Sequence, residues 1–228
     1  GASLGGLAFA FSGYMAARIY AGHMGLLATN SWLPWLLLAT VWSVRRQTWW
    51  SAVIMGVPFA LSILAGHTTS LIYVGLMWAI FALYLILAEK QRGVLVVRQL
   101  VIAGLVGLGL SAVQLVPLLQ FIMTSSRTAE ATYEFATAYS FPPAHLITFL
   151  VPEFFGEPTR AGTWSVPNFE ELTYYVGVLP LLALVVALKR PSRKVYFWLI
   201  VMVVGLLLAL GSYGFFYKLV YDLIPVFR

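Results

Sequence analysis

The sequence from residue 24 to residue 46 reads MGLLATNSWLPWLLLATVWSVRR. Its first 21 residues carry no charge, and Arg45 and Arg46 follow them directly. A hydrocarbon core about 30 Å thick is crossed by a helix of about 20 apolar residues, and basic residues collect at the cytoplasmic end of such helices. This stretch therefore predicts a membrane-spanning helix whose C-terminal end lies at the cytoplasmic surface.

The composition of the whole chain agrees with this stretch. Of the 228 residues, 61% are hydrophobic and only 10% are charged, and the mean hydropathy is +0.89, whereas a soluble domain has about 25% charged residues. Such a chain lacks the polar surface of a water-soluble enzyme or a nucleic-acid-binding domain. The absence of cysteine also excludes disulfides, zinc–thiolate sites and thiol nucleophiles.

About seven apolar segments have roughly the length that is needed to cross a bilayer. They are residues 1–19, 24–44, 48–66, 69–88, 95–121, 172–188 and 195–211. None of them shows the strict alternation of apolar and polar residues that marks a membrane β-barrel. We therefore predict an all-α fold, a polytopic transmembrane helix bundle of about seven spans.

Charged residues indicate which connections between the spans face the cytoplasm. Eight of the 14 Lys and Arg residues lie in the connections after spans two, four and six, and seven of the eight acidic residues lie on the opposite side. The positive-inside rule then makes the basic side cytoplasmic. Since topology explains most of the net charge of +6, we expect the lipid bilayer, and no nucleic acid, as a partner.

The predicted spans divide the chain into three segments. Residues 1–122 form a five-span part, residues 123–171 a long extracytoplasmic loop, and residues 172–228 a two-span part with an outer amphipathic segment. Within the loop, residues 140–150 predict a short helix that lies in the membrane interface. Because the chain opens inside an apolar segment, we expect it to be a piece of a longer polytopic protein.

The polar residues form no known catalytic motif. The sequence contains no Walker motif, no His-Glu-x-x-His zinc motif and no Gly-x-Ser-x-Gly elbow. The predicted outer side instead collects histidines, arginines and carboxylates, among them His23, His67, His145, Arg18, Arg127, Arg160, Glu170 and Glu171. Histidine serves as a base, a phosphate partner or a metal ligand near neutral pH. A polar or charged side chain at a helix end is the structural alternative for the histidines and for Glu170 and Glu171.

Two further patterns have both a structural and a functional interpretation. The triplet Ala-Gly-His occurs at residues 21–23 and 65–67, which fits a duplicated helical hairpin or a glycine that simply ends a helix. Gly104, Gly107 and Gly109 in the fifth predicted span favour close packing of helices in lipid. The alternative for these glycines is a ligand that approaches the helix backbone.

An ordered set of short motifs runs through nearly the whole chain. It comprises Phe11-Ser12-Gly13-Tyr14-Met15, Gly22-His23, Trp32-Leu33-Pro34-Trp35, Gly66-His67, Pro142-Pro143-x-His145-Leu146, Pro152-Glu153-Phe154-Phe155-Gly156, Asn168-Phe169-Glu170-Glu171-x-x-Tyr174-Tyr175-Val176-Gly177, Leu179-Pro180-Leu181 and Tyr221-Asp222-Leu223-Ile224-Pro225-Val226-Phe227-Arg228. By these motifs the chain resembles the YfhO-like family of bacterial polytopic membrane proteins, whose members resemble GT-C glycosyltransferases. The resemblance implies a segment of an enzyme in the bacterial cytoplasmic (inner) membrane. Such an enzyme moves a sugar from a polyprenyl-phosphate donor to a cell-envelope acceptor on the extracytoplasmic face.

The resemblance also implies roles for single residues. We expect Arg127 and Arg160 to contact the donor phosphate, and Glu170, His67 and His23 to contact the acceptor or a metal. The catalytic residue is unknown, because GT-C enzymes usually carry their acidic residue in the first outer loop, which would precede Gly1. No cofactor is certain, and a divalent metal is the one candidate.

Two other functions remain open. The chain is alternatively a non-catalytic integral membrane subunit or scaffold of a larger complex, or a transporter of a lipid-linked substrate. Transport needs a polar pathway through the bilayer, and the nearly uncharged spans do not indicate one. Whether the chain is an enzyme, and which sugar and acceptor it would use, is left open by the sequence.

Overall fold

A computed structural model describes residues 2–88, 93–124, 132–157, 162–163, 169–172 and 174–224. The described residues are mainly helical, which confirms the all-α prediction. They form twelve α-helices: α1 (Ala2–Ala10), α2 (Gly13–Tyr20), α3 (Met24–Arg46), α4 (Trp49–Leu64), α5 (Thr68–Ala88), α6 (Gly93–Leu110), α7 (Ala112–Thr124), α8 (Tyr133–Ala136), α9 (Phe169–Leu172), α10 (Val178–Lys189), α11 (Arg193–Ala209) and α12 (Phe215–Leu223). Two 3₁₀ helices, Pro143–Phe149 and Gly211–Tyr213, and an antiparallel pair of two-residue strands, β1 (Gly156–Glu157) and β2 (Gly162–Thr163), complete the described elements.

Among the described residues, three helices are long and apolar enough to cross a membrane. They are α3, α5 and α6, with 23, 21 and 18 residues. The protein is therefore an integral membrane protein in a lipid bilayer. Three further apolar helices, α4, α7 and α10, are shorter. The number of about seven spans, the side on which the loop lies and the identity of the membrane remain predictions.

Two of the predicted spans are each divided into two helices. Residues 1–19 contain α1 and α2, because the extended backbone at Ser12 interrupts the helix and its Oγ accepts a hydrogen bond from the Met15 N–H at 3.4 Å. Residues 95–121 contain most of α6 and of α7, and the Ser111 hydroxyl between these helices donates to the Gly107 carbonyl at 2.7 Å. Each of these two apolar runs is therefore interrupted at a single serine.

The helices form two compact units. We name them the terminal unit, Gly1–Gly22 with Ser126–Arg228, and the central unit, His23–Ser125. The terminal unit combines the two ends of the chain, so that its contacts join residues that are far apart in sequence. The sequence predicts a different division, into a five-span part, a loop and a two-span part with boundaries after residues 122 and 171. This division stays a prediction.

In the central unit, α3, α4, α5 and α6 pack around a small apolar core. Its buried members are Leu36, Met55, Val74 and Ala103. Glycine allows α4 and α6 to touch, because a Cβ added at Gly56 would lie 2.8 Å from the Ala103 carbonyl oxygen. Gly107 on α6 is confined in the same way, which confirms the close-packing interpretation for that glycine, whereas Gly104 and Gly109 face open space.

Hydrogen bonds between helices supplement this packing. Trp78 Nε1 on α5 donates to Thr40 Oγ1 on α3 at 2.9 Å, and Ser43 Oγ on α3 donates to Gln99 Oε1 on α6 at 2.8 Å. In lipid, where apolar contact between helices gives little net drive, small residues and polar bonds of this kind hold helices together. The central unit therefore has the construction of a membrane helix bundle.

In the terminal unit, the long loop is attached to the end of α11. The Phe141 N–H donates to the Ala209 carbonyl at 2.8 Å, and Ser140 Oγ accepts a hydrogen bond from the Ser212 N–H at 2.9 Å. Gly211 has a φ of +50°, and a Cβ there would collide with Ser140. These contacts place the start of the 3₁₀ helix in the loop beside α11.

The predicted amphipathic segment after α11 is helical. Lys218 Nζ and Asp222 Oδ1, one turn apart on α12, form an ion pair of 2.6 Å. Because both side chains are half exposed, this pair contributes little to stability. Tyr217 and Tyr221 pack against Tyr133 of α8, with ring centroids 6.3 and 5.3 Å away, so the loop also contacts α12.

Candidate functional site

The short helix predicted in the loop is the 3₁₀ helix Pro143–Phe149, with a proline in its first turn. Two of its polar side chains are buried, namely His145 and Thr148. The Thr148 hydroxyl donates toward the carbonyl oxygens of His145 and Leu172, at 2.7 and 3.2 Å. The loop helix is thereby joined to α9, while its position in the membrane interface stays a prediction.

Aromatic rings surround this 3₁₀ helix. Tyr174 lies edge-on to Phe141 with ring centroids 5.0 Å apart, and it stacks on Phe149 at 6.1 Å. His145 stacks on Phe155 at 4.0 Å. Such ring pairs contribute about 0.5–1.5 kcal/mol each beyond the area that they bury. The rings therefore hold the loop against the segment that begins α10.

The surroundings of His145 determine its charge. Burial lowers the pKa of the imidazole below its ordinary value of 6.5, and a hydrogen bond to the backbone of Leu172 raises it in part. The ring is therefore neutral at pH 7. A neutral, stacked imidazole fits the structural interpretation of His145 better than a role as a cationic phosphate partner.

A groove opens between this 3₁₀ helix, Tyr174 and α11, with a volume of 380 Å³. Its lining is apolar apart from the phenol of the tyrosine. The lining residues are Phe141, Leu146, Phe149, Tyr174, Met202, Val203, Gly205, Leu206 and Ala209. A Cβ added at Gly205 would meet no atom within 4 Å, so this glycine widens the groove and does not bring two helices together.

An ion pair joins α2 to α9. Arg18 Nη1 and Nη2 lie 2.7 and 2.5 Å from Glu171 Oε1 and Oε2. The Arg18 side chain is 4% exposed, and the Glu171 side chain is 33% exposed. A guanidinium that meets both oxygens of a carboxylate forms a strong, directional pair, and a buried cation requires such a partner.

Two aromatic rings connect this ion pair to the groove. The Arg18 guanidinium carbon lies 5.4 Å from the centroid of the Tyr14 ring, within cation–π range. Tyr14 stacks on the groove residue Tyr174 with centroids 6.5 Å apart. The Gly13 N–H also donates to the Tyr175 carbonyl at 2.6 Å. Thus α2 holds in place the segment that supplies one wall of the groove.

Two of the predicted contact residues lie in the central unit. His23 precedes α3 and His67 precedes α5, and each follows a glycine in the left-handed region, Gly22 at φ +73° and Gly66 at φ +82°. His67 Nδ1 accepts a hydrogen bond from the Ser70 N–H at 3.1 Å, as a helix cap does. These observations agree with the structural interpretation of the Ala-Gly-His turns, and a binding role for either histidine stays a prediction.

The other predicted contact residues are not placed. Arg127 and Arg160 lie outside the described residues. Glu170 belongs to α9, but its side chain lies outside the described part of the structure. Within the residues that the structure describes, no group of three or more His, Cys, Asp or Glu side chains could hold a metal ion. A divalent metal therefore stays a prediction.

No local pattern predicts the pairing of Arg18 with Glu171. The signal that the sequence does contain is Arg18 itself, a charge inside a predicted span, because a charge in the membrane requires a partner. The partner lies 153 residues away, and several outer carboxylates are equally acceptable by sequence. Tyr174 and Gly205 likewise become site residues only through the groove that they line.

Comparisons of the chain with protein-family models, with curated proteins and with solved structures give no significant match. The similarity to the YfhO-like family therefore stays a prediction from the motifs. A function for the chain has to be inferred from the groove and the ion pair themselves.

Proposed function

We propose that this chain is the donor-binding segment of a YfhO-like, GT-C-type membrane glycosyltransferase. In this proposal, a polyprenyl-phosphate-linked sugar lies with its chain in the groove, and its sugar passes to a cell-envelope acceptor on the extracytoplasmic face of the bacterial inner membrane. The observation that carries the proposal is an apolar groove of 380 Å³ with a buried arginine close to one of its walls.

The lining of the groove suits a hydrocarbon chain. Phe149, Met202 and Leu206 present carbon surface, and the single polar group is the phenol of Tyr174. Because lipid tails are as apolar as leucine, burial alone gives a bound chain little advantage over the bilayer. Selectivity must come from shape, so we expect the groove to favour a chain whose width matches it.

Gly205 supports this interpretation. Glycine in the middle of a helix costs about 0.5–1 kcal/mol relative to alanine, and at this position no neighbouring helix uses the missing side chain. The space that it leaves belongs to the groove. A glycine that is neither a cap nor a packing contact fits a requirement for an open binding surface.

The test is photo-crosslinking of a polyprenyl-phosphate sugar with a photoreactive chain to the protein in nanodiscs. Gly205→Phe should fill the groove and reduce labelling by about tenfold, which corresponds to about 1.4 kcal/mol. Gly104→Phe on α6 is the matched control, because a Cβ there also meets nothing within 4 Å. We expect labelling of this control to equal that of the parent.

Equal labelling of the Gly205→Phe variant and the parent would contradict the proposal. The alternatives give other outcomes in a second assay that measures sugar transfer by the full-length parent protein. A scaffold subunit would bind without transfer, and a transporter would move the labelled lipid between leaflets without releasing the sugar.

A further inference from the structure

Arg18 is unusual among the cations of the terminal unit. The described Lys and Arg residues of this unit are Arg18, Lys189, Arg190, Arg193, Lys194 and Lys218. Of these, only Arg18 is buried. The four between 189 and 194 lie at the end of α10 and the start of α11, whereas the groove lies toward the end of α11, at residues 202–209. Since a helix rises about 1.5 Å per residue, these four are poorly placed to meet a charge at the groove.

The Arg18–Glu171 pair is asymmetric. Arg18 is almost completely enclosed, at 4% exposure, while one third of the Glu171 side chain is exposed. If the carboxylate is released, Arg18 stays enclosed with an unpaired charge at a large desolvation cost, whereas the partly exposed Glu171 carboxylate loses less on separation. An anion that reaches Arg18 has to replace the carboxylate, not add to it.

A phosphate is the anion that matches this position. The guanidinium fork donates to two oxygens of a carboxylate or two oxygens of a phosphate with the same geometry. The Arg18 guanidinium carbon lies 5.4 Å from the centroid of the Tyr14 ring, and this centroid lies 6.5 Å from that of the groove residue Tyr174. The buried cation is thus two ring contacts away from the wall of the groove, and the proposal requires the head of the bound lipid to lie at this wall.

We propose that Arg18 is an anion-exchange site, where the Glu171 carboxylate holds the place that the phosphate of a lipid-linked substrate takes on binding. This inference rests on the proposed function and adds to it an internal competitor for the phosphate. The competitor keeps Arg18 neutralised while the groove holds no phosphorylated lipid. Removal of Arg18 and removal of Glu171 should therefore change the affinity for the phosphorylated lipid in opposite directions.

The experiment compares polyprenyl phosphate with uncharged polyprenol in nanodiscs of phosphatidylcholine, with affinities measured by native mass spectrometry. The parent should prefer the phosphate. Arg18→Gln should lose this preference, by about tenfold or more. Glu171→Gln should strengthen it by a similar factor, because the competing charge is gone. Polyprenol, which reports on the groove alone, should bind equally to all three proteins.

Three controls accompany this comparison. Lys218→Gln removes a half-exposed cation of the same unit that is paired one turn away, and it should leave the preference unchanged. Arg18→Lys retains the charge but not the fork, so it should bind the phosphate with an intermediate preference, and it replaces Arg18→Gln if that variant does not fold. Excess inorganic phosphate should fail to displace the lipid, because the free ion has no chain for the groove.

An ion pair that is only structural predicts a different result. Glu171→Gln would then weaken the preference for phosphate or leave it unchanged, and either outcome overturns the inference. Retention of the full preference in Arg18→Gln, or displacement of the lipid by inorganic phosphate, overturns it as well. Failure of the proposed function is distinguishable, since polyprenol itself would then bind no better to the parent than to Gly205→Phe.

Discussion

Arg18 on α2 and Glu171 on α9 lie 153 residues apart in the chain, yet their side chains form two hydrogen bonds of 2.7 and 2.5 Å. Within the terminal unit, the pair joins α2 to the end of the long loop. Because the arginine is 4% exposed and the carboxylate 33%, the arginine depends on its partner more strongly than the carboxylate does.

This dependence predicts unequal losses of stability in the absence of added lipid. Glu171→Gln should destabilise the terminal unit by about 1–3 kcal/mol, because it leaves a buried charge without its counterion. Arg18→Gln should cost less, since the remaining carboxylate can reach water. The double variant should lose less than the sum of the two single losses. Unfolding by SDS in mixed micelles measures the three free energies, and additive losses would show that the two side chains are not coupled.

Gly13→Ala should loosen the contact between α2 and the segment after α9. The added methyl group would lie 2.8 Å from both Cβ and the carbonyl oxygen of Tyr175, and overpacking of this kind costs about 1–3 kcal/mol. Gly5→Ala on α1 is the control, because its methyl meets nothing within 4 Å. Thermal unfolding in detergent should place Gly13→Ala below the parent and Gly5→Ala at or above it, and the reverse order would refute this account of the contact.

Gly56→Ala should separate α4 from α6 in the central unit. Its methyl group would meet the Ala103 carbonyl at 2.8 Å, and a backbone atom in a packed helix cannot move aside, so we expect a loss of about 1–3 kcal/mol. Gly104→Ala on α6 meets open space and should be neutral or slightly stabilising. Unfolding by SDS again provides the measurement, and equal stabilities of the two variants would count against helix packing as the role of Gly56.

Acidification should weaken the terminal unit through His145. Because burial lowers the pKa of the folded imidazole, the unfolded chain takes up a proton more readily than the folded one once the pH falls below about 6.5. The contribution of this group is complete above that pH and is lost as the pH falls toward the lower pKa of the folded state.

The variant that tests this effect is His145→Phe, which keeps an aromatic ring but does not titrate. The difference in thermal unfolding temperature between about pH 7.5 and about pH 5.5 should be smaller in this variant than in the parent. An identical difference in both proteins would assign the acid sensitivity to other groups.

The general character of the fold was predictable because it depends on local properties. The uncharged run of residues 24–44 followed by Arg45 and Arg46 corresponds to α3, which ends at Arg46. The interruptions at Ser12 and Ser111 were not predictable in the same way. A single serine in an apolar run is compatible with a continuous helix, as Ser31 within α3 shows, where the hydroxyl also donates to a backbone carbonyl one turn earlier.

The same distinction between local and tertiary properties holds for the candidate site. The sequence alone determines that the chain is a membrane-embedded helical protein, and it predicts that Arg18 lies near a helix end on the outer side. Only the tertiary structure decided that Glu171 is the counterion of Arg18 and that Gly205 opens a groove beside Tyr174. The physical reason is that helix formation and burial in lipid follow from residues within a few turns of one another. An ion pair or a cavity depends instead on distances between segments that the chain brings together from far apart.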